Sequence, residues 1–155
     1  MRRVLAVSAV LVAAAAIAGC GGEGAEDGAL VDVYVSAGLC AEARSELARA
    51  GGEAGSLRVR AVCLAAERRD GRLDLATVGA NARRASEDST AVAYLLPRDP
   101  EVARFATPIL AAAEIPWITA RSGETAMSRT LRAIESAANT SSSLRSAVSE
   151  SLEPG

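Results

Sequence analysis

The chain has 155 residues, of which 50% are hydrophobic, 3% aromatic and 23% charged, and its formal net charge is −2. This length fits one domain, and a charge so close to neutral argues against a nucleic-acid partner. There is no histidine, and all 17 basic residues are arginine. These absences exclude Ser-His-Asp and Cys-His catalysis, histidine-bound zinc, Schiff-base chemistry and the P-loop lysine. We therefore predict no enzymatic activity, no metal and no cofactor.

The first residues have the features of an export signal. Two arginines precede an apolar run over residues 4–18, which is too short to span a membrane comfortably. The stretch Ile17-Ala18-Gly19-Cys20 resembles a bacterial lipobox, in which the cysteine thiol takes a diacylglyceryl group. We predict a lipoprotein signal peptide over residues 1–19 and a bacterial envelope protein held at the cell membrane by lipid on Cys20. The alternative is an ordinary signal peptide or an uncleaved anchor that ends in cysteine.

Glycine and acidic residues dominate the chain directly after Cys20. A segment without large apolar side chains cannot bury a core, so residues 20–29 are predicted to be a flexible tether. The tether leads into a single α/β lobe over residues 30–153. Strands one to four lie within residues 30–121 of this lobe, and a C-terminal helix pair occupies residues 122–153.

Strand and helix patterns alternate along the first part of the lobe. β-Branched and apolar runs predict strands over residues 30–36, 57–64, 90–96 and 115–119. Three intervening helices have apolar stripes, namely Leu39, Ala43, Leu47 and Ala50, then Leu75, Val78, Ala82 and Ala85, then Val102, Phe105, Ile109 and Ala113. A polar loop is expected over residues 68–71. Asp74 is the predicted cap of the second helix, and Asp99 followed by Pro100 is the predicted start of the third. Pro108 is expected to kink or interrupt the third helix.

Two further helices follow the fourth predicted strand. Their apolar stripes are Met127, Leu131, Ile134 and Ala138, then Leu144, Val148 and Leu152. The polar run over residues 139–143 is the predicted turn between them. The whole alternation predicts three layers, with a parallel sheet covered by helices on both faces.

Several segments resemble the first lobe of type 1 periplasmic binding proteins, in particular the Leu/Ile/Val-binding subunits of branched-chain amino acid ABC transporters. They are residues 33–36, 50–63, 80–85, 92–94, 108–116, 124–127, 131–134 and 144–152. The chain looks like that lobe with the second lobe missing, joined near residues 121–124. The resemblance implies the order 2-1-3-4 for the four predicted strands. An unrelated flavodoxin-like domain would have much the same strand pattern.

The resemblance implies a half-site at the carboxyl ends of the strands, where the family closes two lobes over an amino acid. Five residues stand at the corresponding positions of this chain: Ser36, Gly38, Arg98, Thr119 and Ser122. The chain departs from the family at Pro97-Arg98-Asp99-Pro100, where Gly- and Ser-containing loops usually hold the carboxylate. Arg98 either binds a carboxylate, fills the old pocket or is a solvated arginine paired with Asp99. Ser122 serves equally as a ligand or as a helix cap.

Two cysteines remain when Cys20 is assigned to lipid. Cys40 opens the helix after the first predicted strand, and Cys63 lies near the carboxyl end of the second. Neighbouring strands in the order 2-1-3-4 bring both to one sheet edge, and export places them in an oxidising compartment. We predict a disulfide between them. Buried free thiols or a metal pair are the alternatives, although two cysteines without histidine make only half a zinc site.

The expected function is that of a lipid-anchored, substrate-binding lobe. It would bind a small amino-acid-like solute weakly, or act within an assembly with an ABC permease or a second lobe from another chain. An open half-site leaves the ligand in contact with water, so tight binding by a monomer is not expected. The alternative is an envelope interaction or structural module that has lost solute binding.

Overall fold

The computed structural model describes residues 26–140 and 143–152, and it confirms the predicted α/β class. The strands are β1 (Leu30–Val35), β2 (Glu53–Ala54), β3 (Leu57–Cys63), β4 (Arg68–Arg69), β5 (Arg72–Leu73), β6 (Ala91–Pro97) and β7 (Trp117–Ala120). The helices are α1 (Ala37–Arg49), α2 (Leu75–Ser86), α3 (Pro100–Ala112), α4 (Gly123–Ala138) and α5 (Leu144–Leu152). The predicted signal peptide, Cys20 and the first part of the tether lie outside the described residues. Within residues 26–140 and 143–152, none of the helices combines the length and the apolar character that crossing a membrane requires.

The main sheet has five strands in the order β2-β3-β1-β6-β7. The four predicted strands correspond to β1, β3, β6 and β7, which run parallel to their neighbours. The prediction of a wholly parallel sheet is wrong, because β2 pairs with β3 in the antiparallel direction. The chain reverses direction between β2 and β3 at Gly55, whose φ angle of 60° is one that glycine adopts without strain.

Helices cover both faces of the sheet. Helices α1, α4 and α5 pack on the face that carries Val31, Val33 and Val35 of β1. Helices α2 and α3 pack on the opposite face, around Tyr34 and Tyr94. The alternation of β1 side chains between two separate cores is what a strand inside a three-layer fold requires.

Helix α3 differs from its prediction in two respects. Its buried residues are Val102, Ala106 and Leu110, whereas Phe105 is 41% exposed. The helix also continues through Pro108 instead of breaking there. Pro108 and Arg104 both lie on the exposed side of the helix. Pro108 has no N–H to donate to the Arg104 carbonyl, so water can solvate that carbonyl instead.

Residues 68–73 form a β-hairpin, whereas the sequence predicts a polar loop over residues 68–71. Strands β4 and β5 pair in the antiparallel direction around Asp70 and Gly71, whose φ angles are 52° and 76°. An Asp-Gly pair tolerates the left-handed conformation that a two-residue hairpin turn needs. The next helix begins at the predicted cap, since the Asp74 carboxylate accepts the Thr77 N–H at 3.1 Å. Leu75 is 48% exposed instead of buried.

Candidate functional site

An open groove of about 260 Å³ lies beside the C-terminal end of β7 and the first turns of α4. Its polar lining consists of three arginines and three hydroxyl-bearing residues, namely Arg98, Arg121, Arg129, Thr119, Ser122 and Thr125. Ile118, Ala120 and Ala126 complete the lining, so it contains no carboxylate. This combination of guanidinium and hydroxyl groups suits an anionic ligand.

Backbone hydrogen bonding fixes Arg98 at this groove. Its N–H donates to the Ala120 carbonyl at 2.9 Å, which extends the pairing of β6 and β7 by one residue. The neighbouring Asp99 caps α3 and forms its ion pair with Arg68, at 2.8 Å, which lowers the pKa of Asp99. Among the described residues, Arg98 has no ion-pair partner. Arg98 and Asp99 therefore do not form the ion pair that was one of the predicted alternatives.

Ser122 and Glu42 meet at the N-terminus of α4. Ser122 Oγ donates to Glu42 Oε2 at 2.8 Å, and the Gly123 N–H donates to the same oxygen at 2.8 Å. These bonds, the one from Ser122 being the strongest influence, lower the pKa of Glu42. A carboxylate from α1 thus occupies the positive end of α4, where Ser122 makes no side-chain cap of its own. A solute carboxylate in the groove has to be held by the arginines instead.

The other two predicted half-site residues lie elsewhere. Ser36 is fully buried at the end of β1, and Gly38 is exposed in the first turn of α1. An added Cβ at Gly38 would meet no atom within 4 Å, so no close approach requires a glycine there. The fold therefore brings Arg98, Thr119 and Ser122 together in one groove and leaves Ser36 and Gly38 outside it.

Three polar lining residues were not among the predicted site residues. Arg121 directly follows β7, and its position soon after the fourth predicted strand was a usable signal. Thr125 and Arg129 lie four residues apart in α4, a spacing that places both on one side of a helix. No pattern in the neighbouring sequence indicates that this side of α4 faces the end of β7.

Cys40 and Cys63 form a disulfide, with their Cα atoms 5.7 Å apart. The register pairs Val35 at the end of β1 with Cys63, and Cys40 lies in the helical turn that follows β1. The bond therefore links α1 to β3 at the C-terminal ends of the parallel strands, the end of the sheet at which the groove also lies. Cys20, the predicted lipidation site, lies outside the described residues.

A second polar network lies at the opposite end of the strands. The fully buried Asp32 accepts hydrogen bonds from Arg60 at 2.6 and 2.8 Å and from Thr90 at 2.9 Å. Tyr34 donates to Asp88 at 2.8 Å, and burial with this contact raises the pKa of Tyr34 to about 12. Both carboxylates of this network have hydrogen-bond partners within the protein, so we assign the network a structural role.

No family model matches the chain, and no curated protein and no solved structure matches it. Within the described ranges there is no group of three or more His, Cys, Asp or Glu side chains placed to hold a metal ion.

Proposed function

We propose that the chain is a lipid-anchored envelope lobe that binds a small carboxylate-bearing solute, such as an amino acid, weakly at the C-terminal edge of its sheet. The observation that carries the proposal is the groove at the end of β7. Three arginines line it without any carboxylate to neutralise them there. Arginine binds carboxylates through two parallel hydrogen bonds, and the Thr119 and Thr125 hydroxyls are further donors, whereas Ser122 Oγ already donates to Glu42.

The proposal extends to the kind of protein. We infer a single lobe related to the substrate-binding proteins of branched-chain amino acid ABC transporters. The adjacency of β3, β1, β6 and β7 supports this assignment. So does the position of Thr119 within β7 and of Arg98 and Ser122 after β6 and β7, the strands that would supply half of a ligand site. A permease or a second lobe from another chain would supply the other wall.

Calorimetric titration of the full exported chain with L-leucine tests the proposal. Because the groove is open to water, a monomer should bind with a millimolar dissociation constant, equivalent to about −4 kcal/mol. L-leucinamide keeps the side chain and the ammonium group but lacks the carboxylate, so it should not bind. A micromolar constant for a monomer would mean that the ligand is enclosed after all.

Two arginine variants locate the binding. Arg98→Ala should weaken leucine binding about tenfold, since a charge-assisted bidentate contact is lost. Arg44→Ala, an exposed arginine on α1, is the matched control and should bind like the wild type. Equal binding of leucine and leucinamide, or an unaffected Arg98→Ala, contradicts the groove as the site. Failure of any solute to bind would favour the envelope interaction module.

A further inference from the structure

A cavity of about 480 Å³ lies at the other end of β7 from the groove that contains Arg98. It is open to solvent, and its walls come from the C-terminal end of α3, the start of β7 and helix α5. Two serines of α5 contribute hydroxyl groups. The side chains that determine its charge and its aromatic character are those of Glu114, Trp117, Arg145 and Glu150.

The two glutamates of this cavity have no partner of opposite charge. Both are exposed, and among the described residues neither Glu114 nor Glu150 forms an ion pair or a side-chain hydrogen bond. Glu114 follows the C-cap of α3 with a φ angle of 54°, at a position where glycine is usual. A glutamate is strained there, and strained residues concentrate at binding sites. The cavity therefore has two carboxylates that are free to bind a cation.

Arg145 does not neutralise these carboxylates, because its guanidinium group is bonded to the backbone. It donates to the Ala91 and Asp88 carbonyls, each at 2.7 Å, and to the Ala113 carbonyl at 3.4 Å. Ala113 is the C-cap of α3, and the C-terminal end of a helix carries a partial negative charge. Two carboxylates and a helix C-terminus thus face one arginine whose donors are engaged, so the cavity favours a cation over an anion.

Trp117 gives the cavity an aromatic surface. It is 38% exposed, and the cation–π contact found among the described residues lies elsewhere, between Arg104 and Phe105. A guanidinium group stacks on an aromatic face, pairs with carboxylates through parallel hydrogen bonds and is weakly hydrated, whereas an ammonium group is compact and strongly hydrated. We propose that Glu114, Trp117 and Glu150 bind a guanidinium group in this cavity.

This site is independent of the proposed carboxylate binding. Trp117 is the first residue of β7 and Arg121 follows the last, a separation of about 13 Å along the strand. The cavity and the groove have no lining residue in common, and they attract opposite charges. A guanidinium probe without a carboxylate therefore tests this site alone.

Fluorescence of the full chain reports binding at the site, because Trp117 is the only tryptophan. Titration with methylguanidinium chloride should change the emission along a saturating curve, with a dissociation constant on the order of 1 mM because the cavity is open. Methylammonium has N–H donors but no planar face, and tetramethylammonium has only the charge, so both should bind about tenfold more weakly. Equal responses to the three salts, or a response to methylguanidinium that does not saturate, would overturn the proposal.

Two arginine derivatives distinguish the possible sources of the group. N-acetyl-L-argininamide presents arginine as it occurs within a polypeptide, and free L-arginine is a small solute. Tighter binding of the blocked derivative would support the proposal with a protein partner as the source, and tighter binding of the free amino acid would support it with a solute. Failure of both to bind would overturn it.

Variants then identify the residues. Glu114→Gln keeps the shape of the side chain and removes its charge, so methylguanidinium should bind about fivefold more weakly. Trp117→Leu removes the stacking surface and should also weaken binding, which calorimetry measures in the absence of the fluorophore. Glu53→Gln, exposed on β2 at the opposite edge of the sheet, is the matched control and should bind like the wild type. Unchanged binding in both Glu114→Gln and Trp117→Leu would overturn the proposal.

Glu114→Gly separates a binding role from a structural one. Glycine adopts a positive φ angle without strain, so this variant should raise the midpoint temperature of unfolding by about 3 °C. It should nevertheless bind methylguanidinium as weakly as Glu114→Gln does. A more stable variant with the affinity of the wild type would show that Glu114 is only a surface residue and would overturn its assignment to the site.

Discussion

At the scale of single residues, helices α1 and α4 each contain a glycine, and only the glycine of α4 lies where a larger side chain would not fit. Gly123 opens α4 where it crosses α1, and an added Cβ would overlap the Leu39 carbonyl oxygen and lie 2.9 Å from the Ala43 nitrogen. Gly38 lies in the first turn of α1 with open space around it. The close approach at Gly123 is also what allows Glu42 to reach the N-terminus of α4.

Gly123→Ala should therefore reduce the free energy of unfolding by about 2 kcal/mol or more, because backbone atoms have to move apart. Gly38→Ala should leave it unchanged or raise it by up to about 1 kcal/mol through better helix propensity. Urea denaturation of both variants measures the difference. Similar stabilities for the two variants would contradict the α1–α4 crossing described above.

Asp88 makes stability depend on acid pH. It accepts hydrogen bonds from the Thr90 hydroxyl at 2.7 Å, the Thr90 N–H at 2.8 Å and Tyr34 at 2.8 Å. Burial opposes ionisation, yet these bonds lower the pKa of Asp88 from 3.8 to about 2. The unfolded chain takes up the proton first as pH falls, so the stabilisation is complete above about pH 4 and is lost towards pH 2.

Asp88→Asn should accordingly show a shallower loss of stability than the wild type between pH 4 and pH 2. Urea midpoints measured at several values of pH across this range give the slope. Glu87→Gln changes the adjacent exposed carboxylate and should retain the wild-type slope. An identical slope in Asp88→Asn and the wild type would show that Asp88 is not responsible.

At the scale of elements, contacts between distant segments hold the short elements in place. Helix α5 spans only Leu144–Leu152, which is too short to be stable by itself in water. Arg145 secures it by donating to the Ala91 and Asp88 carbonyls, each at 2.7 Å. The Cys40–Cys63 bond performs the same role between α1 and β3.

Replacing both cysteines by serine should lower the free energy of unfolding by roughly 3 kcal/mol, since the bond limits the unfolded chain. Urea denaturation with and without a reducing agent measures the same quantity in the wild type. Peptide mapping of the purified protein under non-reducing conditions checks the linkage itself. Cys40 and Cys63 that both react with an alkylating agent without reduction would refute it.

At the scale of the whole molecule, the chain enters the lobe at one end of the sheet, and the groove lies at the other. The Gly28 carbonyl accepts from Arg58 at 2.9 Å beside the start of β1, whereas Arg98 follows the end of β6. A seven-residue strand such as β6 is about 23 Å long. A lipid on Cys20 would therefore be attached to the lobe from the end of the sheet opposite the groove.

Cys20→Ala tests whether Cys20 carries a lipid anchor. The variant should lose metabolic labelling with fatty acid, lose its processed form and change its membrane association. Fractionation and labelling of cells that express the wild type or the variant provide the measurement, and Cys40→Ala is a control that keeps labelling. Unchanged processing and membrane association in Cys20→Ala would exclude a lipid anchor at this position.

Local patterns in the sequence determined the main strands and helices, together with the caps at Asp74 and Asp99, because periodicity and capping depend on residues a few positions apart. The same patterns placed Arg98 and Ser122 after strand ends and Thr119 at the last residue of the fourth predicted strand. Tertiary structure alone decided that these three share a groove, that Glu42 caps α4 and that Arg68 fastens the hairpin. The partners in these contacts lie far apart in the chain, and only the crossing of the elements brings them within hydrogen-bonding distance.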